Sequence, residues 1–167
     1  MMEYSQENIP LCDIRVDRDG VWYFRGAVMF RKEIVNYFYE HLRLDEEGRY
    51  WIDLGHDCCV IEVEDTPFVI RAVFRSAEAE GNGGGLKLLL CDDSLESLDP
   101  SSLCMTEDNV PYCSVRGGRF PARFSRPAYY QLAEHVEYDA RRDAFYLSVN
   151  GQTYDLLQRK STEKHPE

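Results

Sequence analysis

Arginines gather at two places in this sequence, and in an acidic chain they are the side chains best suited to hold an anion. Each group precedes a segment that predicts a helix, and nearby glycines allow close approach of the backbone. Guanidinium groups together with the free N–H groups of a helix start could bind a carboxylate or a phosphate. The candidate ligand-binding residues are Arg25, Gly26, Arg31, Arg116, Gly117, Gly118, Arg119 and Arg123, with Arg126 beside the second helix.

The alternative interpretation is that these arginines pair with the abundant acidic side chains on the surface, where each pair contributes little. The chain has 167 residues, with 30 acidic against 19 basic ones and a formal net charge of −11. A body this acidic repels phosphate backbones, since affinity for nucleic acid comes mostly from Lys and Arg. We therefore expect no binding to nucleic acid or to a membrane surface.

Two histidines follow glutamates late in the predicted helices, as Glu40-His41 and Glu134-His135. They could act as acid–base or metal-binding groups. A histidine near a helix C-terminus is also favoured by the helix dipole alone, and that structural reason is the simpler one. We expect no metal site, no cofactor and no catalytic residue.

A third histidine lies beside a cysteine in the run His56-Asp57-Cys58, where the pair could activate a thiolate. Adjacent residues of a hairpin rarely have the side-chain geometry for this. The six cysteines contain no Cys-x-x-Cys pair, so a zinc site is not indicated. The start of the chain is polar and acidic, and no apolar run approaches the length of a membrane span. We expect a cytoplasmic protein whose cysteines are thiols.

The apolar pattern predicts short strands around two helices. The spacing of Ile34, Val35 and Phe38 predicts a helix over 31–44, and Ser125 is the expected N-cap of a second helix with Pro127 in its first turn. Asn150-Gly151 between alternating segments predicts a type I′ hairpin. Strands are predicted over 11–16, 21–24, 49–54, 58–63, 68–74, 86–88, 110–115, 119–124, 144–149 and 152–157.

Both halves of the chain follow the order strand, strand, helix, strand, strand. A shift of 94 residues aligns four identical residues over the 16 positions from 30 to 45, at Phe30, Glu40, His41 and Asp45. We therefore predict an α+β fold of two tandem ββαββ pseudo-repeats packed into one compact unit. The first repeat with an extra strand spans 11–75, a strand and acidic connector 76–109, the second repeat 110–159, and a disordered tail 160–167.

One set of motifs is shared with a known family: Asp19-Gly20, Trp22, Arg25-Gly26, Arg31, Ile34-Val35, Phe38, Gly48-Arg49-Tyr50 and the segment 62–68. With these motifs the chain resembles a bacterial family catalogued as domain of unknown function 1285. This resemblance implies an α+β fold with repeated motifs and a role in signal transduction through a ligand or partner. Gly48-Arg49-Tyr50, the turn at Glu64-Asp65 and Tyr112-Cys113 ahead of Gly117-Gly118 also give a weaker similarity to an uncharacterised family of mitochondria-bearing organisms.

These observations favour a non-enzymatic regulatory protein. It would bind a small anionic ligand in the cleft between the repeats, or a protein partner, or a second copy of itself. The alternative is a small hydrolase-like enzyme that uses His and carboxylate groups in that cleft. A third hypothesis is an assembly protein without a small-molecule site.

Overall fold

A computed structural model describes residues 9–76 and 84–159, with only the backbone of 157–159. The chain forms two compact units, one up to Pro67 and the other from Phe68 onward. Both units combine one helix with β-sheet, so the predicted α+β class is confirmed. Part of the predicted segment 76–109, namely 77–83, and the predicted tail over 160–167 lie outside the described residues.

The first unit is a six-stranded sheet with one helix. The strand order is β3-β2-β1-β6-β5-β4, and every neighbouring pair is antiparallel except β1 and β6. The elements are β1 (Leu11–Val16), β2 (Trp22–Phe24), β3 (Ala27–Val28), α1 (Lys32–Glu40), β4 (Leu42–Leu44), β5 (Tyr50–Asp53) and β6 (Cys58–Val63).

Helix α1 is fixed to its unit through aromatic side chains. The ring of Trp22, which is 2% exposed, lies 6.0 Å from the ring of Phe38 and 5.0 Å from that of Tyr39. The Tyr39 hydroxyl donates a 2.8 Å hydrogen bond to the Pro67 carbonyl. Burial of such large rings stabilises the fold strongly, so the start of β2 and the end of α1 are held in fixed positions.

The second unit contains two sheets and one helix. The larger sheet has the order β16-β10-β11-β12-β7-β8-β9, and the smaller one has the order β13-β14-β15. The elements are β7 (Phe68–Arg75), β8 (Leu86–Leu90), β9 (Leu95–Ser97), β10 (Cys104–Thr106), β11 (Pro111–Val115), β12 (Phe120–Phe124), α2 (Arg126–Ala133), β13 (Val136–Asp139), β14 (Ala144–Val149), β15 (Gln152–Asp155) and β16 (Leu157–Arg159).

The first helix ends earlier than the pattern predicts, and each helix is followed by a strand. The first was predicted to reach residue 44, but Leu42–Leu44 forms β4, which pairs with β5. Leu42 is 1% exposed in this pairing, so the apolar residue that seemed to continue the helix is buried by a strand instead. The acidic connector is also more ordered than predicted, since it contains β9, a 3₁₀ helix over Pro100–Ser102 and β10.

The helix–strand–turn–strand order recurs in the two units, whereas the sheets differ. Strands β4 and β5 follow α1, and β13 and β14 follow α2, each as an antiparallel pair with an aspartate, Asp45 or Asp139, at the turn. In the first unit the strands before and after the helix share one sheet. In the second they belong to two sheets. None of the described helices is long and apolar enough to cross a membrane.

Candidate functional site

The first group of predicted residues begins in a tight turn between β2 and β3. Arg25 and Gly26 both have positive φ angles, 48° and 80°, which suit the two-residue type I′ turn of a β-hairpin. An arginine rarely adopts this conformation, so the surrounding bonds must hold it. The Arg25 N–H donates a 2.9 Å hydrogen bond to the carbonyl of Asp13, in β1.

The guanidinium of Arg25 is nearly free. It lies 3.9 Å from the Asp13 carboxylate and 5.0 Å from the centre of the Phe24 ring, and the side chain is 74% exposed. An ion pair this long and this exposed contributes little to stability. Arg25 is therefore available to an outside anion.

Arg31 stands at the start of α1 without capping it. Its carbonyl accepts hydrogen bonds from the N–H groups of Ile34 and Val35, but its side chain makes no capping bond. Among the residues that the structure describes, no carboxylate lies within ion-pair distance of its guanidinium. The Arg31 charge thus faces solvent beside the N-terminus of the helix.

Apolar side chains are exposed close to these two arginines in the sequence. Phe30 is 89% exposed, and Phe24, Val28 and Ile34 are 43%, 39% and 39% exposed. Phe24 pairs with Ala27 and Val28 with Tyr23, so the side chains of Phe24 and Val28 lie on opposite faces of the hairpin. We call the following residues the β3 surface: Phe24, Arg25, Val28, Phe30, Arg31 and Ile34.

The second arginine group is engaged inside its own unit. The guanidinium of Arg116 forms an ion pair with Asp92, whose side chain is only 6% exposed, and lies 5.2 Å from the centre of the Phe68 ring. The Arg116 N–H donates to a Glu96 carboxylate oxygen at 2.9 Å, and the Arg119 Nε donates to the Arg116 carbonyl at 2.9 Å. Arg116 is thus paired with an acidic side chain, as in the alternative interpretation, whereas Arg119 bonds to a backbone carbonyl.

The second group is also not gathered at the start of a helix. Arg116, Gly117, Gly118 and Arg119 form the turn that precedes β12, whereas α2 begins after the other end of that strand. Arg123 lies near that other end, 3.4 Å from the Tyr112 hydroxyl. The sequence interpretation missed this separation because five strand residues span about 17 Å, far more than the same number would in a helix.

His41 and His135 lie in different units, one just after each helix. His41 places its Nδ1 2.8 Å from the Tyr37 carbonyl at the end of α1, as the structural interpretation expects. His135 follows α2, and burial and the Arg75 charge lower its pKa. No set of three or more metal-ligating side chains occurs among the described residues.

The cysteines differ from the prediction at one place. Cys12 in β1 and Cys59 in β6 form a disulfide, where all six were expected to be thiols. Adjacent residues of a strand point to opposite faces, so Cys59 faces Cys12 while Cys58 is buried as a free thiol. Burial, with the charges of Asp53 and Asp57, raises the pKa of Cys58, which disfavours a reactive thiolate there.

The apolar half of the β3 surface was not found from the sequence. Phe30 aligns with Phe124 in the proposed repeat, yet Phe124 is 3% exposed and Phe30 is 89% exposed. The same residue type at the two aligned positions therefore gave no sign of this difference in exposure. The signal that could have revealed its exposure is its position. Phe30 follows the strand pattern and directly precedes the helix start, so it belongs neither to the buried face of a strand nor to that of the helix.

Comparison with known proteins supports one family. Residues 4–66 match the model of the N-terminal domain of the family named Domain of unknown function (DUF1285). The chain resembles the DUF1285 family. The matched segment contains the whole β3 surface and ends beside the boundary of the first unit at Pro67. None of the curated proteins matches the chain.

Two crystal structures of DUF1285 family proteins share the fold. The one from Silicibacter pomeroyi DSS-3 has a TM-score of 0.73 and 24% identity, over 90% of this chain and 84% of that one. The one from Shewanella baltica OS155 has a TM-score of 0.61 and 18% identity, over 75% of this chain and 92% of that one. At this identity the likeness establishes the fold alone.

Proposed function

We propose that this chain is a non-enzymatic binding protein of regulatory type that recognises an acidic partner through the β3 surface. The observation that carries the proposal is the contrast between the arginine groups. Arg116 is committed to a nearly buried carboxylate, whereas Arg25 and Arg31 have charges available to solvent on either side of exposed apolar residues. Protein interfaces combine apolar residues with charged residues at their rim, and they are enriched in arginine.

The open position of these groups supports a macromolecular partner over an enclosed small ligand. Small-molecule sites bury most of their ligand and are lined by buried side chains. Arg25 is instead 74% exposed and Phe30 is 89% exposed. The hypothesis of a small anion held between the repeats stays a prediction. Competition by inorganic phosphate for the partner's site tests whether the arginines recognise a small anion.

The alternative of a hydrolase-like enzyme has weaker support. A general base must lie within hydrogen-bond reach of the group it activates. The His41 ring bonds to a backbone carbonyl, and the Cys58 thiol is buried with a raised pKa. We likewise keep as hypotheses the duplication of a ββαββ unit and the cytoplasmic location.

Affinity capture with matched variants tests the proposal. The wild-type chain, R25E/R31E and the control R18E/R141E are used as bait in lysate of the source cells, since both double variants change the charge equally at exposed arginines. We expect at least one captured protein to fall about tenfold with R25E/R31E, which corresponds to about 1.4 kcal/mol, and to persist with the control. Equal loss with both variants, or retention with both, would refute a specific β3 surface.

A further inference from the structure

Resting on the proposed function, we infer that the partner segment is an extended acidic peptide that adds to β3 as a further strand. β3 is the last strand of its sheet among the described strands. Proteins that add a strand to an exposed edge gain affinity from main-chain hydrogen bonds and specificity from alternate side chains.

The hairpin register shows which groups of β3 are open. Phe24 and Ala27 flank the two-residue turn and form a hydrogen-bonded pair, and the Met29 N–H donates to the Trp22 carbonyl at 2.9 Å. Hydrogen-bonded and non-bonded pairs alternate in an antiparallel ladder. Val28, opposite Tyr23, is therefore in a non-bonded pair, and its N–H and C=O point away from β2 toward the open edge.

The charges beside this edge select the occupant. Arg25 and Arg31 lie three residues before and three residues after Val28. Arg25 lies in the turn before β3 and Arg31 is the N-cap of α1 after it, so an antiparallel second copy would bring the Arg25 end of each β3 beside the Arg31 end of the other. Like charges brought together in this way are destabilising, and charged flanks are a known protection against edge-to-edge association.

An acidic peptide strand would replace this repulsion between like charges with attraction between opposite charges. A carboxylate at each end of the added strand would lie toward one of the two arginines, and an apolar residue between them would pair with Val28. The chain carries a net charge of −11, so the two arginines beside this edge have the opposite sign to the chain as a whole. Charge complementarity therefore favours an acidic peptide with a short apolar centre.

A synthetic probe tests strand addition directly. The capped peptide Glu-Thr-Val-Val-Val-Thr-Glu has its central valine aligned with Val28 and a glutamate at each end, toward the two arginines that flank β3. We expect saturable binding by fluorescence anisotropy and slower hydrogen exchange at the Val28 amide. The lysine-ended peptide, and the same acidic peptide with an N-methylated central valine, should each bind about tenfold more weakly or worse.

Two variants of the protein separate main-chain pairing from charge. Val28→Pro removes the outward N–H, and an edge strand tolerates proline where its N–H faces solvent. Val28→Thr keeps the N–H and serves as the control. Strand addition predicts that Val28→Pro abolishes peptide binding while Val28→Thr retains it, with circular dichroism unchanged in both.

Several outcomes would overturn the inference. Absence of peptide binding, or binding that tolerates both N-methylation and Val28→Pro, contradicts strand addition while leaving the capture result for R25E/R31E to decide the proposed function. Displacement of the peptide by inorganic phosphate at equal concentration would mean that the arginines recognise charge alone. Self-association of the wild-type chain that Val28→Pro abolishes would identify a second copy as the occupant.

Discussion

At the scale of single residues, Arg116 and Arg25 form a matched pair. Both occupy the left-handed region, with φ of 55° and 48°, so replacing either by alanine changes the side chain without new backbone demands. Arg116 is bound to Asp92, which is 6% exposed, whereas Arg25 is 3.9 Å from an exposed carboxylate. The difference in burial decides which arginine stabilises the fold.

We expect Arg116→Ala to lower the free energy of unfolding by about 1–3 kcal/mol, because it leaves the Asp92 carboxylate nearly buried without its cation. Arg25→Ala should change it by less than about 0.5 kcal/mol. Urea unfolding measures both. Adding Asp92→Asn to Arg116→Ala should recover part of the loss, and equal effects of the two single variants would contradict the distinction between the groups.

The carboxyl group of Asp45 makes the stability of the first unit depend on pH. Its side chain is 2% exposed and accepts hydrogen bonds from the Arg49 N–H at 2.9 Å and from the Arg49 Nε at 2.8 Å. Burial alone would raise the pKa of Asp45, but these bonds and the Arg49 charge outweigh it and hold the pKa below its usual range. The turn between β4 and β5 therefore depends on an ionised carboxylate.

The sign of the pH dependence follows from that shift. A carboxyl group whose pKa is lower in the folded state contributes its full stability above the unfolded pKa, about 4, and loses it as the pH falls through the folded pKa. We expect Asp45→Asn to be less stable than the wild type by about 1–2 kcal/mol at pH 7, with the gap closing below about pH 4. Urea unfolding across this range measures it, and a constant gap would contradict the assignment.

At the scale of elements, the sequence predicted those turns and helix caps that depend on neighbouring residues alone. Asn150 and Gly151 have φ angles of 52° and 75°, as a type I′ turn requires, and the Ser125 hydroxyl accepts from the Ala128 N–H as an N-cap should. The strand β4 could not be predicted, since the burial of Leu42 depends on pairing with β5, which no local pattern encodes.

The candidate site was predicted in the same partial way. Arg25, Gly26 and Arg31 were found because residue type and turn chemistry are local. The ion pair of Arg116 was not predicted, because its partner Asp92 lies 24 residues away and only the fold brings the two together. The disulfide of Cys12 with Cys59 was missed for the same reason, across 47 residues.

The two helix starts predict opposite responses to substitution. Ser125 caps α2, so Ser125→Ala should destabilise the protein by about 1 kcal/mol. The N-cap of α1 is Arg31, which makes no capping bond, so Arg31→Ser should stabilise the protein by about 0.5–1 kcal/mol while weakening capture of the acidic partner. Thermal unfolding and the capture assay measure the two effects. A destabilised Arg31→Ser would contradict a binding role for an arginine at that position.

The disulfide joins two elements, since β1 and β6 are the parallel pair at the centre of the first sheet. The register between these strands shifts between Leu11 and Arg15, next to Cys12. We expect Cys12→Ser with Cys59→Ser to lower the free energy of unfolding by about 2–4 kcal/mol, because the bond restricts the unfolded chain. A reducing agent should lower the wild type to the same value and leave the variant unchanged. Insensitivity of the wild type to the reducing agent would contradict the disulfide.

At the scale of the whole molecule, the net charge of −11 opposes the local charge of the β3 surface. The range of electrostatic interactions falls from about 30 Å at 10 mM salt to about 10 Å at 0.1 M. At low salt an approaching acidic peptide experiences the whole acidic body, whereas at higher salt it experiences mainly the nearby Arg25 and Arg31. Salt should therefore speed its association instead of slowing it.

This prediction distinguishes a local basic edge from general attraction. We expect the association rate constant of the Glu-ended peptide to rise roughly severalfold over that salt range, and that of the lysine-ended peptide to fall, because screening removes repulsion in one case and steering in the other. Stopped-flow fluorescence measures both. With R25E/R31E the Glu-ended peptide should show no binding signal at any salt concentration. A rate constant for that peptide on the wild type that decreases with salt would mean that long-range attraction brings it in, and the basic edge would then not be a local exception.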